Sequence, residues 1–278
     1  MKLQSEQCIR KTRISTLKSY MKRVQNLYRA IFVDRIEKSE FEELTNFNCC
    51  GKDNNMNIVI INGSPRKKGT TSNILRRIEE NLVLYDDVHV EYFDLIDLDI
   101  KSCSGCCTCY KNGTCYIKDD AEMLSKRIFS SDGLILGSPT YASNVSGLLK
   151  NFIDRGHFVI EQILHKKYAI SVATGENYGS SDTSKILNKL IQYSGAFLTG
   201  KIVYNSPFNS RIKDDKLNKK IDKLSHKYYL DIKNKRNYPI QAVVHNAIFN
   251  MGIKSFVKSK GEKYQGVLDK WEKMNISI

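Results

Sequence analysis

Four cysteines, Cys103, Cys106, Cys109 and Cys115, fall within thirteen residues of this 278-residue chain. Thiolates this close in sequence can converge on one small inorganic object. Successive gaps of two, two and five residues belong to the kind that hold iron–sulfur clusters. A fifth thiol, Cys107, lies inside the run and is either a substitute ligand or a free reactive group. The same count allows a tetrahedral zinc ion. It also allows a cluster-free segment of packing residues or a redox thiol pair. Spacing alone leaves all three readings open.

About forty residues upstream, Ile58-Val-Ile-Ile61 runs into Gly63-Ser64-Pro65-Arg66-Lys67-Lys68-Gly69-Thr70-Thr71-Ser72. A buried strand followed by a glycine-bearing turn and a helix start offers backbone amides to an anion. Ser64, Thr70, Thr71 and Ser72 add hydroxyl donors, and Arg66 adds a charged one. No Gly-Lys-Ser/Thr closes the loop, so the nucleoside-triphosphatase pattern is absent. Gly63 and Gly69 stand six apart with no third glycine in register, so the dinucleotide fingerprint is absent too. What remains is a phosphomonoester site without magnesium machinery. His89, His157 and His165 read as structural, and no serine–histidine–acid arrangement stands out. No side chain is assigned a catalytic role.

These residues need a frame. Apolar runs at 57–61, 88–93, 133–136, 168–173 and 197–204 predict five strands. Helical patterns near 71–84, 121–129, 145–158 and 182–193 alternate with them. Short apolar strands separated by helices specify a doubly wound parallel α/β sheet. In such sheets ligands bind at the carboxyl ends of the strands, which points to the loops after the first, third and fourth strands.

The segment Ile61-Asn-Gly63-Ser64-Pro65-Arg66-x-x-Gly69-Thr70-Thr71 resembles the FMN phosphate loop of the flavodoxin-like NAD(P)H-dependent FMN reductases. Gly137-Ser138-Pro139-Thr140-Tyr141-x-x-Asn144-Val-Ser146-Gly147, continuing to Asp154-Arg155, is similar to that family and more specific. The resemblance implies a flavodoxin-like five-stranded sheet. It implies a phosphate held by Ser64, Arg66, Gly69, Thr70, Thr71 and Ser72. The isoalloxazine ring would be wrapped by Pro139, Thr140, Tyr141 and Asn144, with Thr174 and Gly175 in a third flavin loop. Within that superfamily the cysteine spacing resembles the iron–sulfur flavoproteins of anaerobes. By that resemblance Cys103, Cys106, Cys109 and Cys115 hold a [4Fe–4S] cluster that exchanges electrons with FMN, and the flavin rather than a side chain carries the chemistry. NAD(P)H as a co-substrate, or a ferredoxin as donor, is implied in the same way, as is a homodimer or homotetramer.

The resemblance spans about 56–204. Residues 1–55 are expected to form a helical extension and linker, with an apolar stripe from Ile14 to Ile31 on a helix over 11–32. Residues 205–278 are expected to form a basic, mostly helical extension. The net charge of +14 sits on these flanks, because residues 56–200 hold 16 basic and 16 acidic side chains. Basic residues are not gathered around a reading element, so nucleic acid is not an expected partner. No membrane span is legible, and the first twenty residues carry no secretory signal pattern. A cytoplasmic protein is expected. Two other functions stay open. One is a cluster-free NAD(P)H-dependent reductase of FMN, quinones or nitro compounds. The other is a non-enzymatic electron carrier or redox sensor with basic flanks docked on an acidic partner.

Overall fold

The computed structural model describes residues 55–206 and 214–276. The helix expected over 11–32 lies outside the described residues. Those described belong to one compact unit that begins at Asn54.

Five strands form the sheet: β1 (Met56–Asn62), β2 (Val88–Asp94), β3 (Gly133–Pro139), β4 (Tyr168–Gly175) and β5 (Phe197–Asn205). Their order is β2-β1-β3-β4-β5, every pair parallel. The order reverses between β1 and β3, which opens a crevice at the carboxyl ends of these two strands. β3 is buried along its whole length and β4 up to its last residue, as near-continuous apolar sequence requires when helices cover both faces.

On one face, α1 (Thr70–Leu82) and α7 (Asp215–Lys233) pack with Ile74, Leu75, Ile78, Leu217, Ile221 and Tyr228 against Ile58, Ile60 and Ile170. On the other, α3 (Asp120–Ser130), α4 (Gly147–Arg155) and α6 (Ser180–Tyr193) pack against Val59, Ile61, Leu134 and Leu136. A short α2 (Thr108–Asn112) lies inside the cysteine segment, and α5 (Phe158–Glu161) is a single turn. The helix expected over 145–158 is interrupted: Ser146 caps its start and it ends at Arg155, where Gly156 and a left-handed His157 turn the chain.

Beyond α7 come α8 (Pro239–Ile248), a π-helical turn (Phe249–Lys254), α9 (Ser255–Lys260), a 3-10 turn (Gly261–Tyr264) and α10 (Gln265–Lys273). They close a third core around the fully buried Trp271, with Phe249, Ile253, Val257 and Val267. At the outer edge of the sheet, Gln241 of α8 satisfies Leu198 of β5: it accepts from the Leu198 amide at 2.8 Å and donates to its carbonyl at 3.1 Å. This partly covers an edge strand that would otherwise offer unpaired backbone groups.

Candidate functional site

The loop between β1 and α1 is built from within. Asn62, fully buried at the end of β1, donates to Ser72 Oγ at 2.8 Å and to Asp94 Oδ1 at 2.6 Å, and accepts from the Ser64 amide at 3.0 Å. Ser64 Oγ accepts from the Arg66 amide at 3.1 Å, and Ser72 Oγ donates to the Arg66 carbonyl at 2.6 Å. Two of the expected hydroxyl donors are thus engaged in shaping the loop. The anion-facing character comes from the start of α1, whose N-cap is Gly69 and which receives no side-chain cap. The first-turn N–H groups of such a helix have no intrahelical acceptor and carry the positive end of its dipole.

Gly63 is sterically required. A Cβ there would lie 2.9 Å from the Gly137 carbonyl oxygen and 2.9 Å from Leu149 Cβ. Its own carbonyl accepts from Ser146 Oγ at 2.6 Å, and its amide donates to the Gly137 carbonyl at 2.8 Å. Ser146 also accepts from the Leu149 amide at 3.1 Å and so caps α4. One serine therefore ties the first loop to the helix after the second.

The second loop follows β3. Tyr141 and Asn144 exchange two backbone hydrogen bonds of 3.0 Å across Ala142 and Ser143, both left-handed at φ 49 and φ 58. Non-glycine residues rarely adopt this conformation, and it recurs where loops serve ligands. The tight turn leaves Tyr141 exposed, and Thr183 Oγ1 holds it from behind by donating to the Asn144 carbonyl at 3.0 Å.

The third loop joins the other two. Thr174 Oγ1 and Thr71 Oγ1 share a hydrogen bond of 2.7 Å, and the Thr140 amide donates to the Thr174 carbonyl at 2.7 Å. Pro139 pairs with Thr174 in the sheet. Thr70 shares a hydrogen bond of 3.3 Å with Ser206 past the end of β5. The structure thus gathers Gly63 to Ser72, Pro139 to Asn144 and Thr174 to Gly175 at one end of the sheet. Thr140 Oγ1 is buried there with no protein partner. Buried polar atoms are rarely left so, and a bound ligand with a polar edge would satisfy it. An uncapped helix start and this orphaned hydroxyl fit a molecule with a phosphate at one end and a polar-edged ring at the other, as FMN has.

The cysteine segment leaves from the adjacent end of β2 and is closed at its neck. Arg155 and Asp119 form a buried ion pair at 2.6 Å, with side chains 1% and 0% exposed. Arg155 also donates to the Lys101 carbonyl at 2.7 Å, and Asp119 accepts from the Lys101 and Ala121 amides. Burial pushes the Asp119 carboxyl up, but Arg155 and these amides outweigh it and hold it below the usual range. Within the loop, Cys103, Cys106 and Cys107 are exposed, while Cys109 and Cys115 are half-buried. Hydrogen bonding from Thr108 lowers the Cys106 thiol. Cys109 neighbours His157, whose Nδ1 lies 2.7 Å from Glu161 Oε1. Burial disfavours the imidazolium, yet Cys109 and Glu161 raise His157 to about 10. Among the described residues no three His, Cys, Asp or Glu side chains are grouped as a metal site. The donor chemistry fits an iron–sulfur cluster, since all four thiols lie on one surface loop, although the loop does not gather them.

Sequence reasoning missed Asn62, the Ser146 tie and the Glu161 partner of His157. The asparagine ending a buried apolar strand was the available signal for the first.

Residues 56–209 match the family described as NADPH-dependent FMN reductase. An iron–sulfur flavoprotein of Clostridioides difficile is 38% identical over 224 residues, covering 80% of this chain and 100% of the relative. Another, from Methanocaldococcus jannaschii, is 32% identical over 52% of this chain and 76% of its own. Among solved structures, an apo NADH:FMN oxidoreductase (EMOB) superposes with a TM-score of 0.51 at 20% identity, covering 67% of this chain and 94% of that one. This last likeness concerns the fold. The chain therefore belongs to the NADPH-dependent FMN reductase family, in its iron–sulfur flavoprotein branch.

Proposed function

We propose that this FMN-dependent oxidoreductase passes electrons between a [4Fe–4S] cluster held by Cys103, Cys106, Cys109 and Cys115 and an FMN held by the three strand-end loops. The observation that carries the reading is one structural continuity. The Arg155–Asp119 pair that closes the cysteine loop sits at the end of α4, and the start of the same helix is tied by Ser146 to the Gly63 carbonyl of the phosphate loop. One helix of nine residues thus spans the two sites.

Bound FMN supplies hydride transfer or stepwise single-electron transfer at its ring. The protein's part is placement. The α1 start and Thr70 receive the phosphate. Thr140 offers its unpaired hydroxyl to the ring edge, and the left-handed turn presents Tyr141 and Asn144. Arg66 lies on the exposed side of the loop, where it supplies charge to the phosphate. Gly175 completes the third loop beside Thr140.

An acidic iron–sulfur protein of the ferredoxin type is favoured as electron donor over a dinucleotide by one feature. An open surface beside α7 presents Lys201, Lys216, Lys219, Lys220 and Lys223. Such a stripe steers an acidic surface and speeds encounter at low salt. The cluster-free NAD(P)H-dependent reductase is the second reading, favoured by the ungrouped thiols.

Replacing Cys109 by Ser separates the two. The proposal predicts lost iron and lost absorbance near 400 nm, with FMN still bound. Unchanged iron and unchanged spectra in the variant would sink it.

A further inference from the structure

The short helix that carries Cys109 is docked on a part of the chain outside the family domain, which ends at residue 209. α2 touches α10 through two glycines. A Cβ on Gly266 would lie 2.2 Å from the Gly113 amide nitrogen and 2.7 Å from Gly113 Cα, so only glycine permits the approach. Tyr110, next to Cys109, stacks on Tyr264 with ring centroids 4.8 Å apart and planes at 23°. On its other side Tyr110 meets the edge of His157 at 5.8 Å. His157 is held by Glu161, which also accepts from Lys270 of α10 at 2.5 Å. Trp271 of α10 donates to the Ile160 carbonyl at 3.1 Å, which locks α5 to the same support.

The two ends of the cysteine set are therefore unlike. Cys109 rests on this C-terminal support and Cys115 lies beside the Arg155–Asp119 neck, both half-buried, while Cys103 and Cys106 are exposed arms. We infer that residues 261–273 are the seat of the cysteine loop, with Gly266 and Tyr264 as positioning residues. They hold Cys109 where it can ligate, so that the two exposed thiols close onto a half-formed site. Fixing part of a ligand set in advance reduces the ordering that binding must still impose. The inference deepens the cluster reading above and rests on it for the word "ligate"; the docking of Cys109 does not depend on iron.

The test uses the full chain with FMN bound. Iron-free protein is treated with iodoacetamide and the alkylation rate of each thiol is read by mass spectrometry. Cys109 should react about tenfold or more slowly than Cys103, because protection follows the local opening equilibrium. Gly266→Val and Tyr264→Ala should each remove most of that difference, and Tyr264→Phe, which keeps the stacked ring, should restore it. After anaerobic loading with iron and sulfide, native protein and Tyr264→Phe should hold about four irons per chain. The other two variants should hold far fewer, with FMN content unchanged. If Gly266→Val does not fold, Tyr264→Ala against Tyr264→Phe decides. Equal Cys109 reactivity in native protein and both disruptive variants overturns the seat. So does full iron loading of those variants. Native protein that takes no iron but shows the alkylation contrast keeps the seat and removes the cluster reading.

Discussion

At the scale of single residues, the site depends on atoms with no room to change. Gly63→Ala drives a methyl group into the Gly137 carbonyl and Leu149. Overpacking of this kind costs about 1–3 kcal/mol. Because Gly63 starts the anion loop, we expect FMN affinity to fall by about tenfold or more, read by flavin fluorescence titration; unaltered affinity would show that the loop adjusts. Arg155→Met strands the Asp119 carboxylate in a site where neither side chain is more than 1% exposed. Removing one partner of a buried pair costs about 3–5 kcal/mol, so the denaturation midpoint should drop by a corresponding amount. A loss below about 1 kcal/mol would mean that water reaches the pair. At this scale the sequence was legible where residue type alone implies chemistry: the thiols, the hydroxyl-rich loop and the Gly137-to-Arg155 motif. It was not legible where the role depends on how a loop folds on itself or on a distant partner. Ser64 and Ser72 read as phosphate donors, yet both turn inward on the Arg66 backbone. Nothing within a few residues of Ser146 reveals its bond to Gly63, 83 positions away.

At the scale of elements, the five strands and the four longer helices between them follow from apolar periodicity, because the inner strands are covered on both faces and each of these helices has one buried stripe. The short α2 and α5 carry no such signal. The boundaries that moved did so for local reasons. The helix expected over 145–158 yields to Gly156 and the left-handed His157, and β3 and β4 run on to Pro139 and Gly175 because pairing continues into the ligand loops. The apolar stretch at 240–256 divides by face. Gln241, His245 and Phe249 turn toward the body, while Ile240, Val243 and Val244 are exposed. This contact has a pH signature. His165 is pushed down to about 4 by burial, helped by Lys166, His245 and Lys167, and burial lowers His245 as well. Both rings favour the neutral form in the folded protein, whereas in the unfolded chain they take up protons near pH 6.5. The unfolded state then binds more protons in the window from about 6.5 down to about 4. The contribution of these two rings is full above that window and falls as pH drops through it, whereas His157, raised to about 10, acts in the opposite sense between about 6.5 and 10. With partial exposure allowed for, the loss is about 1–2 kcal/mol, measured as a denaturation midpoint at about pH 6.5 against about pH 5, a range in which the opposite His157 contribution changes little. His165→Gln should flatten most of that slope; a slope unchanged in the variant would assign it to carboxylates elsewhere.

At the scale of the whole molecule, the sequence sets a charge-balanced stretch, residues 56–200, between basic flanks. Long-range ties hold the body's loops to shared rigid parts. α4 spans from the phosphate loop to the neck of the cysteine loop, and the C-terminal helices reach back to support Cys109. The fold class and the family were legible from five strands and two motifs. The joining of the C-terminal extension to the cysteine loop was not, because a Gly–Gly contact between residues 113 and 266 leaves no periodic or compositional trace. The central claim is that one chain carries both an FMN and a cysteine-held cluster. Its most direct test is the absorption spectrum of protein purified without oxygen, with flavin, iron and sulfide quantified on the same sample. The account predicts flavin bands over a broad shoulder near 400 nm, about one FMN and about four irons per chain. Flavin bands with no shoulder and no iron, from protein never exposed to oxygen, would contradict it.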